Sequence, residues 1–117
     1  MQYIIFNMGV TQKHLFTDQQ NELAALAKAI GHPARIAILQ HLIQSNTCIN
    51  GDLVQEIGLA QATISQHLRE LKEVGLIQGT IEGTKVSYCI HPGKWNELQT
   101  LFDGFFKTFD KCCNSSC

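Results

Sequence analysis

The stretch from Leu53 to Val74 constrains the fold more than any other part of the chain. Leu53, Val54 and Ile57 mark a short helix, and Gly58 ends it. After Leu59 and Ala60 a second helix begins near Gln61 and reaches Val74. Two helices joined by a tight, Gly-containing turn form a helix-turn-helix unit. The second helix carries Ile64, Leu68 and Leu71 on one stripe and Ala62, Gln66, Arg69 and Glu73 on the opposite face. Gly75 follows it as a C′ glycine. The apolar period then changes to two. Ile77, Gly79 and Ile81 alternate with polar residues, and after Glu82-Gly83-Thr84 so do Val86, Tyr88 and Ile90. That pattern predicts a β-hairpin and makes the unit a winged helix-turn-helix.

The flanks read as helices. Thr17-Asp18-Gln19-Gln20 has the form of a capping box, and Leu23, Leu26, Ala27 and Ile30 follow at helical spacing. Gly31 stops that helix, and Pro33 sits in the first turn of the next, which runs to about Gln44. Its apolar residues, Ile36, Ile38, Leu39, Leu42 and Ile43, predict a mostly buried helix. After Pro92-Gly93 a last helix carries Trp95, Leu98, Leu101, Phe102, Phe105, Phe106 and Phe109. The expected fold is mostly α with a β-hairpin wing, and it has five or more helices. Residues 1–16 show no period and form an N-terminal extension. Residues 17–111 form one domain, and residues 112–117 a cysteine-rich tail. At 117 residues the chain suits a single domain. So small a domain buries a modest share of its surface, which favours dimerisation.

The outward face of the second helix suits the major groove. Gln61, Thr63, Ser65, Gln66 and His67 carry groups able to hydrogen-bond base edges. A Gln can pair bidentately with adenine, worth ~1–3 kcal/mol of discrimination. Arg69, Lys72 and Lys85 suit phosphates. Taken alone, such a face is equally a solvated helix surface; the turn before it and the hairpin after it decide for DNA. The net charge of −1 argues the other way. Residues 61–94 hold four Lys/Arg against three Asp/Glu, so counterion release is modest. A dimer doubles the contacts. No run approaches the ~20 apolar residues of a membrane span. The opening MQYIIFNMGV lacks the positive start of a signal peptide. A cytoplasmic protein is expected. No phosphate loop, carboxylate pair or Cys–His nucleophile arrangement points to an enzyme.

The stretches "LAKAIGHPARIAILQHL", "LAQATISQHLRELKEVGLI" and "EGTKVSYCI" resemble the ArsR/SmtB family of metal-responsive repressors. The most specific part is Thr63 to Leu68, followed by Gly75-Leu76-Ile77. The resemblance covers roughly Leu23 to Phe106. It implies a homodimer that represses an operator and releases it on binding an inducer. It places the dimer interface on the first and last helices, giving Leu23, Leu26, Trp95, Leu98, Leu101, Phe102, Phe105 and Phe109 a partner; packing within the protomer can use some of them too. Many family members have Thr or Ser before the recognition helix. Ala60 here offers no such cap.

The family also implies where an inducer binds. A Cys-x-Cys pair at the third helix would fall at Ile49 and Gly51, so that site is absent, with Cys48 a single neighbour. A site of Asp and His on the last helix has Asp103 but no His after His91. Cys112, Cys113 and Cys117 remain, and some arsenic-responsive members carry a similar adjacent pair and third cysteine. Soft thiolates select soft ions. Trivalent arsenic forms three bonds, and antimony resembles it. Zinc wants four ligands, so zinc or cadmium fits less well. On a helix Cys113 and Cys117 share a face while Cys112 lies about 100° away. The tail must therefore unwind at Asn114-Ser115-Ser116 to bring the three sulfurs together, or else its cysteines do nothing. Cys89 is expected to be a small buried hydrophobe. Two alternatives stand: a thiol redox or persulfide sensor on this fold, using Cys48 and Cys89 or the tail pair, and a protein-interaction module that uses the helix pair as scaffold.

Overall fold

The computed structural model describes residues 13–45, 49–50, 53–82 and 85–112. A 3-10 turn at Lys13–Leu15 precedes helix α1 (Asp18–Ile30). The capping box is present. Thr17 Oγ1 accepts the Gln20 amide at 3.0 Å, and Gln20 Oε1 accepts the Thr17 amide at 2.9 Å. Both bonds occupy donors that a helix start otherwise leaves open. Helix α2 (Pro33–Ser45) starts two residues past Gly31, and His32 Nδ1 accepts the Ala34 amide at 3.0 Å. It buries Ala34, Ile38, Leu39 and Leu42, but leaves Ile36 and Ile43 exposed.

A two-residue strand, β1 (Ile49–Asn50), follows, and then α3 (Val54–Ile57), a single helical turn. Gly58 lies in the left-handed region at φ +88°, where glycine bears no Cβ penalty. Helix α4 (Gln61–Glu73) begins where the sequence places it, with Ala60 as an N-cap that makes no side-chain bond. It ends in a Schellman motif: the Leu76 amide donates to Leu71 O at 3.1 Å and the Gly75 amide to Lys72 O at 2.9 Å. Gly75 takes φ +86° to allow it.

Strands β2 (Ile77–Glu82) and β3 (Lys85–Ile90) form the antiparallel hairpin, in register from Ile77 opposite Ile90 to Glu82 opposite Lys85. β1 pairs with the other edge of β3, so the sheet order is β1-β3-β2. Gly79 is required: at φ +131°, an added Cβ would sit 2.0 Å from Ser87 O. The core joins all the layers. Leu26, Ile38, Leu53, Ile64, Leu68, Leu71, Leu76, Ile77 and Tyr88 pack together.

The last helix, α5 (Pro92–Cys112), has 21 residues, about 30 Å at 1.5 Å per residue. Lys94 Nζ fastens its start to α1, 2.7 Å from Glu22 Oε2, and also meets Glu97 Oε1 at 2.8 Å. Leu98 is buried, and Trp95, Leu101 and Phe102 are half-buried against the core. Phe105, Phe106 and Phe109 are exposed. Among the described residues the helices longer than one turn number four, against the expected five or more. Four helices are 13 residues or longer. The segment after Leu53 makes one turn only, because Gly58 stops it at once.

Candidate nucleic-acid interface

The helix pair and the hairpin present a shared surface. On α4, Ile64, Leu68 and Leu71 turn inward and are at most 1% exposed. Gln61, Thr63, Gln66, Arg69 and Lys72 face outward. Two of the amides are held in place: Gln61 Nε2 donates to Ser65 Oγ and Gln66 Nε2 to Glu70 Oε2, each at 3.1 Å. Lys72 Nζ donates to Gly79 O at 2.6 Å, which clasps α4 to the wing. The side chain of Lys85, on the wing, lies outside the described residues.

Two residues assigned to base edges are placed differently. Ser65 and His67 are buried, 9% and 8% exposed. The cause is the breadth of the buried stripe. Ser65 lies beside Ile64 and Leu68, and His67 lies between Ile64 and Leu71. Arg35 Nε donates to His67 Nδ1 at 3.1 Å, and the His32 ring lies 4.4 Å from the His67 ring, centroid to centroid. Arg35 also donates from a terminal nitrogen to Ala29 O at 3.1 Å. Burial, then the neighbouring His32 and Arg35, hold the His67 pKa below its ordinary 6.5, with Glu70 opposing. Sequence reasoning missed His32 and Arg35. They lie about one helix pair upstream, and no local spacing links them to His67.

This geometry, a polar helix face clasped to a wing, coincides with what comparison with known proteins shows. The model of the "Bacterial regulatory protein, arsR family" matches residues 32–78. A "Biofilm growth-associated repressor" of Xylella fastidiosa is 31% identical over 78% of this chain and 79% of its own. The chain belongs to the ArsR family.

The "HTH-type transcriptional regulator CmtR" of Mycobacterium tuberculosis is 35% identical over 62% of this chain and 60% of its own length. An "ArsR-like Transcriptional Regulator from Rhodococcus sp. RHA1" has the same fold, with a TM-score of 0.63 at 19% identity over 81% of this chain and 89% of that one. This ArsR-family chain is therefore a DNA-binding transcriptional repressor of the ArsR/SmtB type, not an enzyme. No described helix is long and apolar enough to cross a membrane.

The residues assigned to the dimer interface divide. Leu26 and Leu98 belong to the protomer's own core, 1% and 9% exposed. Leu23, Trp95, Leu101 and Phe102 are half-buried. Phe105 and Phe109 are exposed, with Phe106 between them. Of the thiols assigned to the inducer, Cys112 closes α5 in its backbone, while its side chain, Cys113 and Cys117 lie outside the described residues. So does the expected unwinding at Asn114-Ser115-Ser116. Among the described residues no group of three His, Cys, Asp or Glu is placed to hold a metal ion. Residues 1–12 of the N-terminal extension also lie outside. Cys89 departs from expectation. It is half-buried on β3 and its sulfur is in a disulfide rather than a free thiol.

Proposed function

We propose that this repressor binds its operator as a homodimer and releases it when trivalent arsenic or antimony is taken up by the thiolates of Cys112, Cys113 and Cys117. One observation carries the reading. The exposed aromatic end of α5, with Phe105, Phe106 and Phe109 58–67% exposed, runs directly into the cysteine cluster. A large apolar face on a small domain calls for a partner, and a ligand at its end can act on that partner's position.

The donor set fits the ion. Three soft sulfurs match three bonds to arsenic, with no fourth ligand to find. Zinc or cadmium would need one more donor. Each thiolate displaces one hydroxide from arsenous acid, so three As–S bonds replace three As–O bonds and each thiol proton leaves with a hydroxide as water.

Derepression needs a difference in affinity. The ion must bind the DNA-free arrangement better than the DNA-bound one, or it shifts nothing. Typical couplings are ~1–3 kcal/mol. Holding the ion at Cys112, Cys113 and Cys117 changes how two α5 helices sit together, and with them the spacing of the two α4 helices on adjacent major grooves.

The test is a titration of arsenite, antimonite, zinc and cadmium into the operator complex, followed by fluorescence anisotropy. Release by arsenite and antimonite at lower concentrations than zinc or cadmium supports the reading. Release by zinc or cadmium alone replaces it with a divalent-metal sensor. The disulfide at Cys89 favours a second, thiol-redox input on the same fold.

A further inference from the structure

The two tethered amides of α4 rest on different kinds of acceptor. Gln61 Nε2 donates to Ser65 Oγ, and Gln66 Nε2 donates to Glu70 Oε2. A hydroxyl both donates and accepts, so Ser65 suits either orientation of the Gln61 amide. A carboxylate only accepts. Glu70 therefore decides which end of the Gln66 amide is the nitrogen. The two residues are i and i+4, neighbours on a helix surface.

Gln66 is exposed, on the face opposite the buried Ile64, Leu68 and Leu71. It lies in the first half of α4, the part of a recognition helix that meets base edges. Ala62, one turn before it on that face, is exposed and ends at Cβ, so the longer Gln66 side chain reaches past it.

We propose that Glu70 is a positioning residue for sequence recognition, which makes Gln66 a reader of adenine and sets it against guanine. In the major groove adenine presents an acceptor, N7, beside a donor, its exocyclic amino group. Guanine presents two acceptors, N7 and O6. The Gln66 amide has two N–H groups and one carbonyl. One N–H is committed to Glu70. The other N–H and Oε1 remain side by side and match N7 and the amino group of adenine. Against guanine the same edge sets Oε1 beside O6, acceptor against acceptor. An untethered amide turns over and offers guanine its nitrogen instead. Water leaves the groove on binding, which strengthens polar contacts there and penalises an unmatched one.

The test uses the full chain without arsenite, so its outcome is independent of the tail thiols. Glu70 also acts on His67, raising its pKa against the stronger lowering causes. Neutral pH therefore keeps His67 uncharged with or without Glu70. Wild type, Gln66→Ala, Glu70→Ala, Glu70→Leu and Glu70→Gln each select from a pool of random-sequence duplexes, and the bound sequences are counted. Wild type should select a position where adenine exceeds guanine about tenfold or more. Gln66→Ala should lose that preference. Glu70→Ala and Glu70→Leu should keep the rest of the site and cut the ratio to about threefold or less. Both should bind unselected DNA at least as well as wild type, because a negative charge is gone; loss of structure would weaken all binding instead. Glu70→Gln still accepts a hydrogen bond and should keep more of the ratio than Glu70→Leu. An adenine analogue lacking N7, placed at the selected position, should weaken wild type and leave Gln66→Ala unchanged. The proposal is overturned if Glu70→Ala and Glu70→Leu select adenine as strictly as wild type, or if no position depends on Gln66. It is also overturned if Glu70→Gln keeps no more of the ratio than Glu70→Leu.

Discussion

Arg35 Nε donates to Nδ1 of His67 across 3.1 Å, joining α2 to the recognition helix from the inside. The bond needs a neutral imidazole, because a protonated one has no nitrogen left to accept. Burial, His32 and Arg35 all favour that neutral form. This ties the seating of α4 to pH.

The sign follows from proton linkage. The folded pKa of His67 lies below its ordinary 6.5, so the unfolded chain binds the proton more readily. The stabilisation is complete above about pH 6.5 and is lost as pH falls through the lowered folded value. The melting temperature of wild type should therefore fall more steeply than that of His67→Gln between pH 7 and pH 5. Parallel curves would contradict this. Arg35→Ala leaves His67 Nδ1 and Ala29 O without this donor, and should cost about 2 kcal/mol in urea unfolding at pH 7.

Gly79→Ala should be among the most damaging single-methyl changes. The new Cβ meets Ser87 O at 2.0 Å, and φ is +131°. A loss of about 3 kcal/mol or more is expected from the strain and the parted strands. Urea unfolding measures it, and operator affinity should fall with it because the wing is displaced.

The two kinds of contact on α4 should separate in binding assays. Gln66→Ala should cost ~1–3 kcal/mol on the operator and little on random DNA, as base readout requires. Arg69→Ala should weaken both alike and reduce the salt slope by about 1 per protomer. Anisotropy at several salt concentrations distinguishes them. Ser65→Ala and His67→Gln should alter sequence preference less than Gln66→Ala, since both side chains are buried.

The exposed end of α5 predicts assembly. Phe105→Ser with Phe109→Ser should shift sedimentation toward a monomer and weaken operator binding at low protein concentration. The same variants should keep the helical circular dichroism of wild type, because neither ring belongs to the protomer core.

Local chemistry made much of this fold legible. The capping box at Thr17 and the C′ glycine at Gly75 act within a few residues of themselves, and both occur where the sequence places them. The change of period after Gly75 marks the hairpin because alternating residues must face opposite sides of a strand. The strand β1 was not legible. Two residues, Ile49 and Asn50, make no pattern, and they are strand only because β3 offers an edge to pair with. The inward turn of His67 was hidden for the same kind of reason. A histidine beside an apolar stripe reads as polar surface until Arg35, 32 residues earlier in the chain, is brought beside it. The two buried leucines assigned to the dimer, Leu26 and Leu98, show the converse: an apolar stripe does not say whether its partner is the same chain or a second copy.

The central claim is that arsenic acts through the thiols at the end of α5. The most direct measurement is arsenite titration of the operator complex, with wild type beside Cys113→Ser. The account predicts equal operator affinity without arsenite, release of the wild-type complex, and a Cys113→Ser complex that stays bound. A Cys113→Ser protein that releases its operator at the same arsenite concentration as wild type would contradict it.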